Sequence, residues 1–299
     1  MKNKIIKIFF LIQSISIWGN YINNDVLQEA AKKLFIKESQ LIESFSQPYE
    51  IKSVSQVIHD YQSKFGLFGN APIVMPFNNV VAVLYLVKPY LPDNAIIIEA
   101  GAYDGGDTVY MSKFFSKSKI YAFEPVPKLY ASLLHKTQYS ERIFPFQYAL
   151  GDKNETVKFY VSAFNTNPEE PSASSSLLEP KEHLDYANYV VFNKTIDVEM
   201  LTLDSWAALN NVDHVDMLWL DMQGYELNML KACPQILKTV KVIYTEVEFV
   251  EAYKDQYLYH DVVSYLCNLG FKILAQDFVP GEQGRWYGNV LFINNNSSL

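Results

Sequence analysis

The chain has 299 residues, 49% of them hydrophobic, which is enough to bury a full core in one catalytic domain plus an N-terminal extension. Its formal net charge of −8 leaves no basic stripe to neutralise a phosphate backbone, so we expect no nucleic-acid substrate and a small or neutral acceptor instead. The two cysteines, Cys233 and Cys267, do not form a C-x-x-C pair, and we predict no bound metal.

Residues 1–90 are predicted to form an N-terminal helical extension. Three lysines within the first seven residues precede an apolar run, Ile8–Trp18, which suits a signal peptide and is too short to cross a bilayer as a helix. We therefore expect no stable membrane span. Gln13 and two serines dilute the run, which favours a packed or membrane-surface helix over an export signal at residues 1–18. From Asp25 to Phe65, apolar residues recur at helical spacing.

Residues 91–299 alternate between strand-like and helix-like segments, as a doubly wound α/β fold requires. We predict a Rossmann-like, mostly parallel sheet of seven strands whose last strand is antiparallel. The predicted strands are Ala95–Ala100, Lys119–Phe123, Ile143–Tyr148, Val215–Asp221, Val240–Val247, Phe271–Asp277 and Asn289–Ile293. The predicted helices are Val80–Val87, Asp107–Phe115, Lys128–Thr137, Ser205–Leu209, Tyr225–Ala232 and Tyr259–Leu269.

The first two strands of this sheet end in residues suited to a nucleotide cofactor. An apolar run without alternation leads into Gly101 and Gly105, and glycines let the backbone approach a ligand that a Cβ would block. The next strand ends in Glu124, about 20 residues past the glycine turn, where an acid can accept both ribose hydroxyls. We therefore predict a nucleotide-cofactor site at the carboxyl end of these strands.

The glycine spacing and the charges around it discriminate between two cofactors. A dinucleotide usually follows G-x-G-x-x-G, whereas here Gly101 precedes Gly105 by four residues. Glu99 and Asp104 flank the turn, and two carboxylates would repel a pyrophosphate but attract a cation. S-adenosylmethionine carries a sulfonium and an ammonium group, so we expect it as the cofactor. An NAD-dependent oxidoreductase is the alternative.

Three motifs follow one another along the chain: Glu99-x-Gly101-x-x-x-Gly105, then Ala122-Phe123-Glu124-Pro125, then Leu220-Asp221-Met222-Gln223-Gly224-Tyr225-Glu226. In this order and spacing they resemble the FkbM family of S-adenosylmethionine-dependent methyltransferases, over roughly residues 95–294. The resemblance implies a class I methyltransferase fold with S-adenosylmethionine as methyl donor. Because that donor is a cytosolic metabolite, we expect a cytoplasmic enzyme.

The resemblance also implies roles for individual residues. Glu99 would contact the methionine portion of the cofactor or cap the following loop. Asp104 would touch the ligand ammonium or stabilise the turn, and Thr108 would bind the cofactor carboxylate or cap a helix. The predicted cofactor-binding residues are Glu99, Gly101, Asp104, Gly105, Thr108, Glu124, Ala149, Leu150 and Asp221, with Ala149 and Leu150 beside the adenine.

Asp221 ends the fourth strand and should face the transferred methyl group. The commonest form of this family motif is Lys-Ile-Asp-Val-Glu-Gly, and this chain departs from it because Trp219 replaces the lysine and Gln223 the glutamate. Glu226 suits a capping role at the next helix. The predicted catalytic residues are Asp221 and Glu246, with Glu248 as an alternative base.

The acceptor is predicted to be a hydroxyl on a small molecule or a saccharide. The Asn/Asp-Pro-Pro-Tyr/Phe motif that serves amino groups of bases is absent, which favours an oxygen acceptor. A base is needed when the acceptor is a poor nucleophile such as an alcohol. Six aromatic residues could form a platform for a sugar or could be scattered core packing: Phe164, Tyr186, Tyr189, Phe192, Trp286 and Tyr287.

Residues 162–195 form an insertion rich in Ser, Asn, Pro and Glu, between strand-like segments at Thr156–Val161 and Ile196–Leu201. A segment of this length is usually a functional lid or a disordered insertion. We predict a cover over the acceptor whose removal leaves the cofactor site nearly unchanged. Within it, His183 is either a base or, more simply, a solvated loop histidine.

Overall fold

A computed structural model of the protein describes residues 73–74, 80–280 and 286–294. The signal-like segment at residues 1–18 and the helical pattern from Asp25 to Phe65 lie outside the described residues, so both stay predictions. Within the described ranges, no helix is both long and apolar enough to cross a membrane.

The main sheet has eight strands in the order β1-β11-β12-β10-β9-β2-β3-β4. Every neighbouring pair is parallel except the two that include β12. The predicted fold is confirmed, with one short added strand, β1, at the edge. The strands are β1 Ile73–Val74, β2 Ile96–Ala100, β3 Lys119–Phe123, β4 Ile143–Phe146, β9 Met217–Leu220, β10 Val242–Glu248, β11 Phe271–Pro280 and β12 Trp286–Asn294.

Helices cover both faces of this sheet, as the absence of alternation in its strands predicts. On β2, Ile97 packs into one apolar cluster and Ile98 into the other, because successive side chains point to opposite faces. Trp206 is buried in the same cluster as Ile98, on one face of the sheet, and Met111 is buried in the same cluster as Ile97, on the other face. The described helices are α1 Val80–Val87, α2 Gly106–Phe114, α3 Pro127–Thr137, α4 His183–Tyr186, α5 Leu203–Leu209, α6 Glu226–Lys231, α7 Pro234–Leu237 and α8 Tyr259–Asn268.

A second sheet of four strands occupies the place of the predicted insertion. Its order is β5-β8-β6-β7, with β5 Ala149–Leu150, β6 Glu155–Phe164, β7 Asn167–Pro171 and β8 Val190–Leu201. The predicted strands at Thr156–Val161 and Ile196–Leu201 are therefore parts of longer strands, β6 and β8, which pair antiparallel.

Of the two alternatives for residues 162–195, a functional lid or a disordered insertion, the second was wrong for the parts that form strands: the end of β6, β7 and the start of β8. One face of β6 and β8 carries Phe159, Val161, Val198 and Met200, which pack with residues of α3 and β5. Polar residues on the other face gave these strands the composition of a loop. Half-solvated antiparallel strands have this pattern, so composition alone was misleading.

Candidate active site

The loops that follow β2, β3 and β9 meet the second sheet around a cavity of about 570 Å³ that opens to solvent. Five of the predicted cofactor residues line it: Gly101, Glu124, Ala149, Leu150 and Asp221. The second sheet adds Phe159 of β6, and the loop after β7 adds Ser172, Ala173, Ser175 and Leu177. A single cavity therefore brings together residues from three strand ends and from the insertion.

The prediction that removing the insertion would leave the cofactor site nearly unchanged is inconsistent with this arrangement. Ser172–Leu177 shares one cavity with Glu124 and Leu150. The segment is held in place by hydrogen bonds: Ser162 Oγ lies 2.8 Å from Ser172 Oγ and 3.1 Å from Ser175 Oγ. Removing the insertion would therefore remove one wall of the predicted cofactor cavity.

Gly101 allows the loop after β2 to touch the end of β9. Its φ is 84°, and a Cβ placed there would lie 1.8 Å from the carbonyl oxygen of Asp221. Since that oxygen belongs to the backbone of a buried strand end, it cannot move aside cheaply. The close approach explains why this position is a glycine.

Glu124 is buried beside the cavity, and both of its carboxylate oxygens accept a backbone amide. Oε2 accepts from the N–H of Tyr103 and Oε1 from the N–H of Val126, each at 2.9 Å. A carboxylate oxygen has two lone pairs, so each oxygen keeps the capacity to accept one more hydrogen bond. Burial raises the pKa of Glu124 to about 8.

Glu99, Thr108, Asp104 and Gly105 do not line the cavity but build the loop behind it. Thr108 Oγ1 donates to Glu99 Oε2 at 2.5 Å, and burial raises the pKa of Glu99 to about 8. Asp104 accepts from the N–H of Gly106 at 3.0 Å and pairs with Lys136 at 2.6 Å. Asp104 thus stabilises the turn and ties it to α3.

Asp221 and Glu246 come together at the ends of neighbouring strands β9 and β10. The side-chain nitrogen of Gln223 donates to Asp221 Oδ1 at 2.7 Å and to Glu246 Oε2 at 2.6 Å. Asp221 opens onto the cavity, yet protein atoms crowd it closely enough that desolvation raises its pKa. Desolvation and then the charge of Asp221 raise the pKa of Glu246 well above its usual value. The two predicted catalytic residues therefore form one coupled pair.

A second, smaller depression of about 260 Å³ begins at Glu246. Glu248, Glu226, Gln256 and Tyr257 also line it. Glu226 Oε1 accepts the N–H of Met222 at 2.7 Å, in the loop before α6, and its capping role stays a prediction. Polar groups therefore continue outward from the carboxylate pair on the side away from the larger cavity.

Sequence reasoning missed Asp107 and Tyr253. Asp107 lies in the first turn of α2, and burial, followed by the charge of Asp221, raises its pKa to about 6. An acid in the first turn after the glycine loop was the available signal. Tyr253 is fully buried, and its hydroxyl lies 2.9 Å from Gln223 Oε1. No local motif marks that contact, because the two residues are 30 positions apart.

Other residues that the sequence analysis singled out pack against aromatic side chains. His183 is buried rather than solvated, against the rings of Phe192 and Tyr253, and burial lowers its pKa to about 4. Phe164 and Tyr189 are exposed and stacked with their ring centroids 6.3 Å apart. Among the described residues, no group of three or more His, Cys, Asp or Glu side chains has a metal-binding arrangement.

The fold and the site together define a Rossmann-like α/β enzyme that binds a nucleotide cofactor at the carboxyl edge of its parallel sheet. The sequence model of the Methyltransferase FkbM domain matches residues 99–273, and the chain belongs to the FkbM methyltransferase family. The prediction of an S-adenosylmethionine-dependent methyltransferase is thereby confirmed, and it displaces the alternative of an NAD-dependent oxidoreductase.

Two relatives and one solved structure illustrate the similarity. The chain is 29% identical over 202 residues to the 2-O-methyltransferase NoeI of Sinorhizobium fredii, covering 68% of this chain and 80% of NoeI. It is 27% identical over 161 residues to Methyltransferase 1 of Beauveria bassiana, covering 49% and 61%. The magnesium protoporphyrin IX methyltransferase of Synechocystis, solved with bound SAM, aligns at 12% identity and a TM-score of 0.42, covering 83% and 100%.

Proposed function

We propose that this protein transfers a methyl group from S-adenosylmethionine to a hydroxyl of a saccharide. The observation that carries the proposal is the coupled pair of Asp221 and Glu246, which opens onto the cofactor cavity at Asp221. An alcohol is a poor nucleophile and must lose its proton during methyl transfer, so it needs a base beside the reacting oxygen. A carboxylate whose pKa is raised above its usual value is suited to that task.

The lining of the larger cavity offers the polar groups, the apolar surface and the charge that the cofactor requires. Glu124 has an acceptor site left on each oxygen for the two ribose hydroxyls, while Ala149 and Leu150 offer an apolar surface to the adenine. The backbone at Gly101 can approach the ligand closely because it lacks a Cβ. Asp221 would attract the cationic end of the cofactor, with Asp107 behind it. Glu99 and Thr108 would act from behind the loop, directly or through water.

When bound, the cofactor supplies an electrophilic methyl group on a positively charged sulfur. The protein's part is then to hold the acceptor oxygen in line and to take its proton. The new bond forms between that oxygen and the methyl carbon, and the carbon–sulfur electron pair leaves with the sulfur. The proton passes to the Asp221 and Glu246 pair, which can share it because the two carboxyl groups are hydrogen-bonded to each other.

One observation favours a saccharide as the acceptor, and a second favours transfer to oxygen. The depression beyond Glu246 is lined by Glu248, Gln256 and Tyr257, whose polar groups can bind several hydroxyls at once. The relative NoeI, by its name, is a 2-O-methyltransferase, and methyl transfer to oxygen is the chemistry that the carboxylate pair suits. Because the methyl donor is a cytosolic metabolite, we place the reaction in the cytoplasm.

The test is product identification with S-adenosylmethionine labelled in its methyl group. The protein is incubated with a panel of oligosaccharides, phenols and amines, and the labelled position is located by NMR. We expect the label on a sugar oxygen, with S-adenosylhomocysteine as co-product. Label found on a phenol or on nitrogen, with none on any saccharide, would contradict the proposed acceptor class.

A further inference from the structure

Gln223 lies between the two carboxylates of the proposed base. Its side-chain nitrogen carries two hydrogens and lies 2.7 Å from Asp221 Oδ1 and 2.6 Å from Glu246 Oε2. Each hydrogen is therefore used on a different carboxylate. An amide can do this without adding a charge to an already acidic site.

The backbone at Gln223 adopts an uncommon conformation that directs the side chain to this place. Gln223 has a φ of 53° and Gly224 a φ of 96°, so two successive residues occupy the left-handed region. A non-glycine residue there is uncommon, and in a functional loop it indicates a conformation that the surroundings enforce. The chain turns sharply after β9, which carries the Gln223 amide toward the end of β10.

Contacts from two other segments fix the amide in that orientation. The hydroxyl of the buried Tyr253 lies 2.9 Å from the side-chain oxygen Oε1 of Gln223. Ser176 Oγ donates to the backbone carbonyl oxygen of Gln223 at 2.8 Å. The Tyr253 hydroxyl also lies 2.9 Å from the carbonyl of Ser174. Ser174 and Ser176 belong to the segment that walls the cofactor cavity, so the second sheet and the carboxylate pair are connected through Gln223.

We propose that Gln223 is a positioning residue that holds Asp221 and Glu246 as one proton-sharing pair, with one carboxylate kept ionised to accept the proton of the acceptor hydroxyl. This inference rests on the proposed function. The charged and titratable groups that interact with the pair are acidic or phenolic: Glu99, Asp107, Glu124, Glu226, Glu248, Tyr244 and Tyr287. These neighbours favour protonation, whereas hydrogen bonds donated to a carboxylate favour its ionised form. The two N–H groups of Gln223 thus counteract the acidic surroundings.

Two substitutions separate the hydrogen bonds from the shape of the side chain. Gln223→Met keeps the length and removes both donors, and Gln223→Glu keeps the shape and replaces the donors with a third carboxyl group. Gln235→Met is the matched control, because Gln235 is exposed on α7 and its side-chain oxygen accepts from Lys238 at 3.3 Å. For all variants, we would measure the pH dependence of kcat and the KM for S-adenosylmethionine.

Loss of the donors should raise the pKa of the pair and move the acid limb of the kcat profile to higher pH. For Gln223→Met we expect a shift of about one to two pH units, from the size of a hydrogen bond to a charged group. Gln223→Glu should move the acid limb farther, and Gln235→Met should leave it in place. In all three variants, the KM for S-adenosylmethionine should stay within about threefold of the wild-type value. A uniform fall in kcat with an unshifted acid limb would overturn the inference.

A titration without any acceptor separates this inference from the proposed function. The carboxyl resonances of the pair can be followed by ¹³C NMR in the wild type and in Gln223→Met. A raised midpoint in the variant would support the role of Gln223 even if no saccharide were methylated, and an unchanged midpoint would overturn it. Should Gln223→Met fail to fold, Tyr253→Phe removes the hydroxyl beside Gln223 Oε1 and should shift the midpoint in the same direction by less.

Discussion

The two sheets of this protein contribute differently to one cavity. At the carboxyl edge of the parallel sheet, the strand ends and the loops after them carry Glu124, Asp221 and Glu246, all carboxylates. The wall added by the second sheet consists of small or apolar residues such as Ala173 and Leu177. The comparison indicates that the parallel sheet provides the charges for chemistry, while the second sheet provides an uncharged wall.

The sheets also differ in how strongly their residues are fixed. β2 is buried along nearly its whole length, whereas four of the five residues of β7 are exposed. A strand covered on both faces holds its terminal side chains precisely, which suits charged groups that must meet a reacting atom. A half-solvated sheet tolerates change better, so substitutions there should have smaller effects.

The largest expected effect is on turnover, at Asp221. Asp221→Asn keeps the shape and removes the charge that accepts a proton, so kcat should fall by about a hundredfold to ten-thousandfold, the range of general-base catalysis. S-adenosylmethionine affinity should fall much less. Asp213→Asn is the control, since Asp213 is an exposed acid that pairs with His214. Equal losses of affinity and turnover would make Asp221 a cofactor ligand rather than a base.

Gly101 tests whether the close approach of the two strand ends matters. In Gly101→Ala the new methyl group would meet the Asp221 carbonyl, so the free energy of unfolding should fall by about 2–4 kcal/mol, and the cofactor affinity with it. Gly106→Ala is the matched control, because a Cβ there would meet only Asp104 Oδ1, at 3.3 Å, and this partly exposed side chain can move by the few tenths of an ångström that the contact requires. Chemical denaturation and calorimetric titration would measure the two quantities. Equal behaviour of the two alanine variants would be inconsistent with the observed packing.

Glu124 tests the hydrogen-bonding carboxyl group at the end of β3. Glu124→Gln keeps one acceptor oxygen but replaces the other with a donor, so it loses a hydrogen bond to a ribose hydroxyl and the one from a backbone amide. Such a loss should weaken S-adenosylmethionine binding by about tenfold to a hundredfold. Calorimetric titration at pH 7 measures it, with S-adenosylhomocysteine as a second ligand. Unchanged affinity for both would move the ribose site elsewhere.

The buried acids of the parallel sheet predict a pH-dependent stability. Burial raises the pKa of Glu99 and of Glu124 to about 8, so between pH 6.5 and 8 the folded state keeps protons that the unfolded chain has released. Stability should therefore fall as pH rises through that window, and Tm should drop by several degrees. The lowered pKa of His183, about 4, acts in the opposite sense below pH 6.5 and not in this window.

Glu99→Gln provides the control for this dependence. The variant keeps an oxygen that can accept the Thr108 hydrogen bond and removes one titrating group, so calorimetry should give a shallower fall in Tm. A Tm that rises between pH 6.5 and 8, in either protein, would contradict the assignment of raised pKa values to these acids.

The sequence predicted those parts of the fold that depend on local pattern. Ile96, Ile97 and Ile98 form an apolar run without alternation, and this pattern correctly indicated a strand covered on both faces. Because the strands of such a sheet are parallel, their ends lie at one edge, and Glu124 and Asp221 could be expected to share a cavity. The structure places both on its lining.

Contacts set by loop conformation could not be predicted in the same way. Gln223 was recognisable only as a departure from the usual motif, and its bonds to both carboxylates depend on a left-handed backbone turn. Tyr253 and Ser176 approach it from segments with no periodic pattern of their own. In the second sheet, β7 and the extensions of β6 and β8 into residues 162–195 were missed, because their exposed faces have the polar composition of a loop.

The claim that the cofactor cavity is built by both sheets can be tested most directly with two leucines of the insertion, residues 162–195. Leu177 lines the cavity, whereas Leu184, on α4, is 44% exposed. Removing the partly buried Leu177 side chain should cost about 1 kcal/mol of binding free energy. In a calorimetric titration, Leu177→Ala should therefore bind S-adenosylmethionine roughly fivefold more weakly than the wild type. Its kcat at saturating cofactor should be nearly unchanged. Leu184→Ala should bind within about twofold of the wild type. Equal affinities for wild type, Leu177→Ala and Leu184→Ala would contradict the account, because the second sheet would then have no part in holding the cofactor.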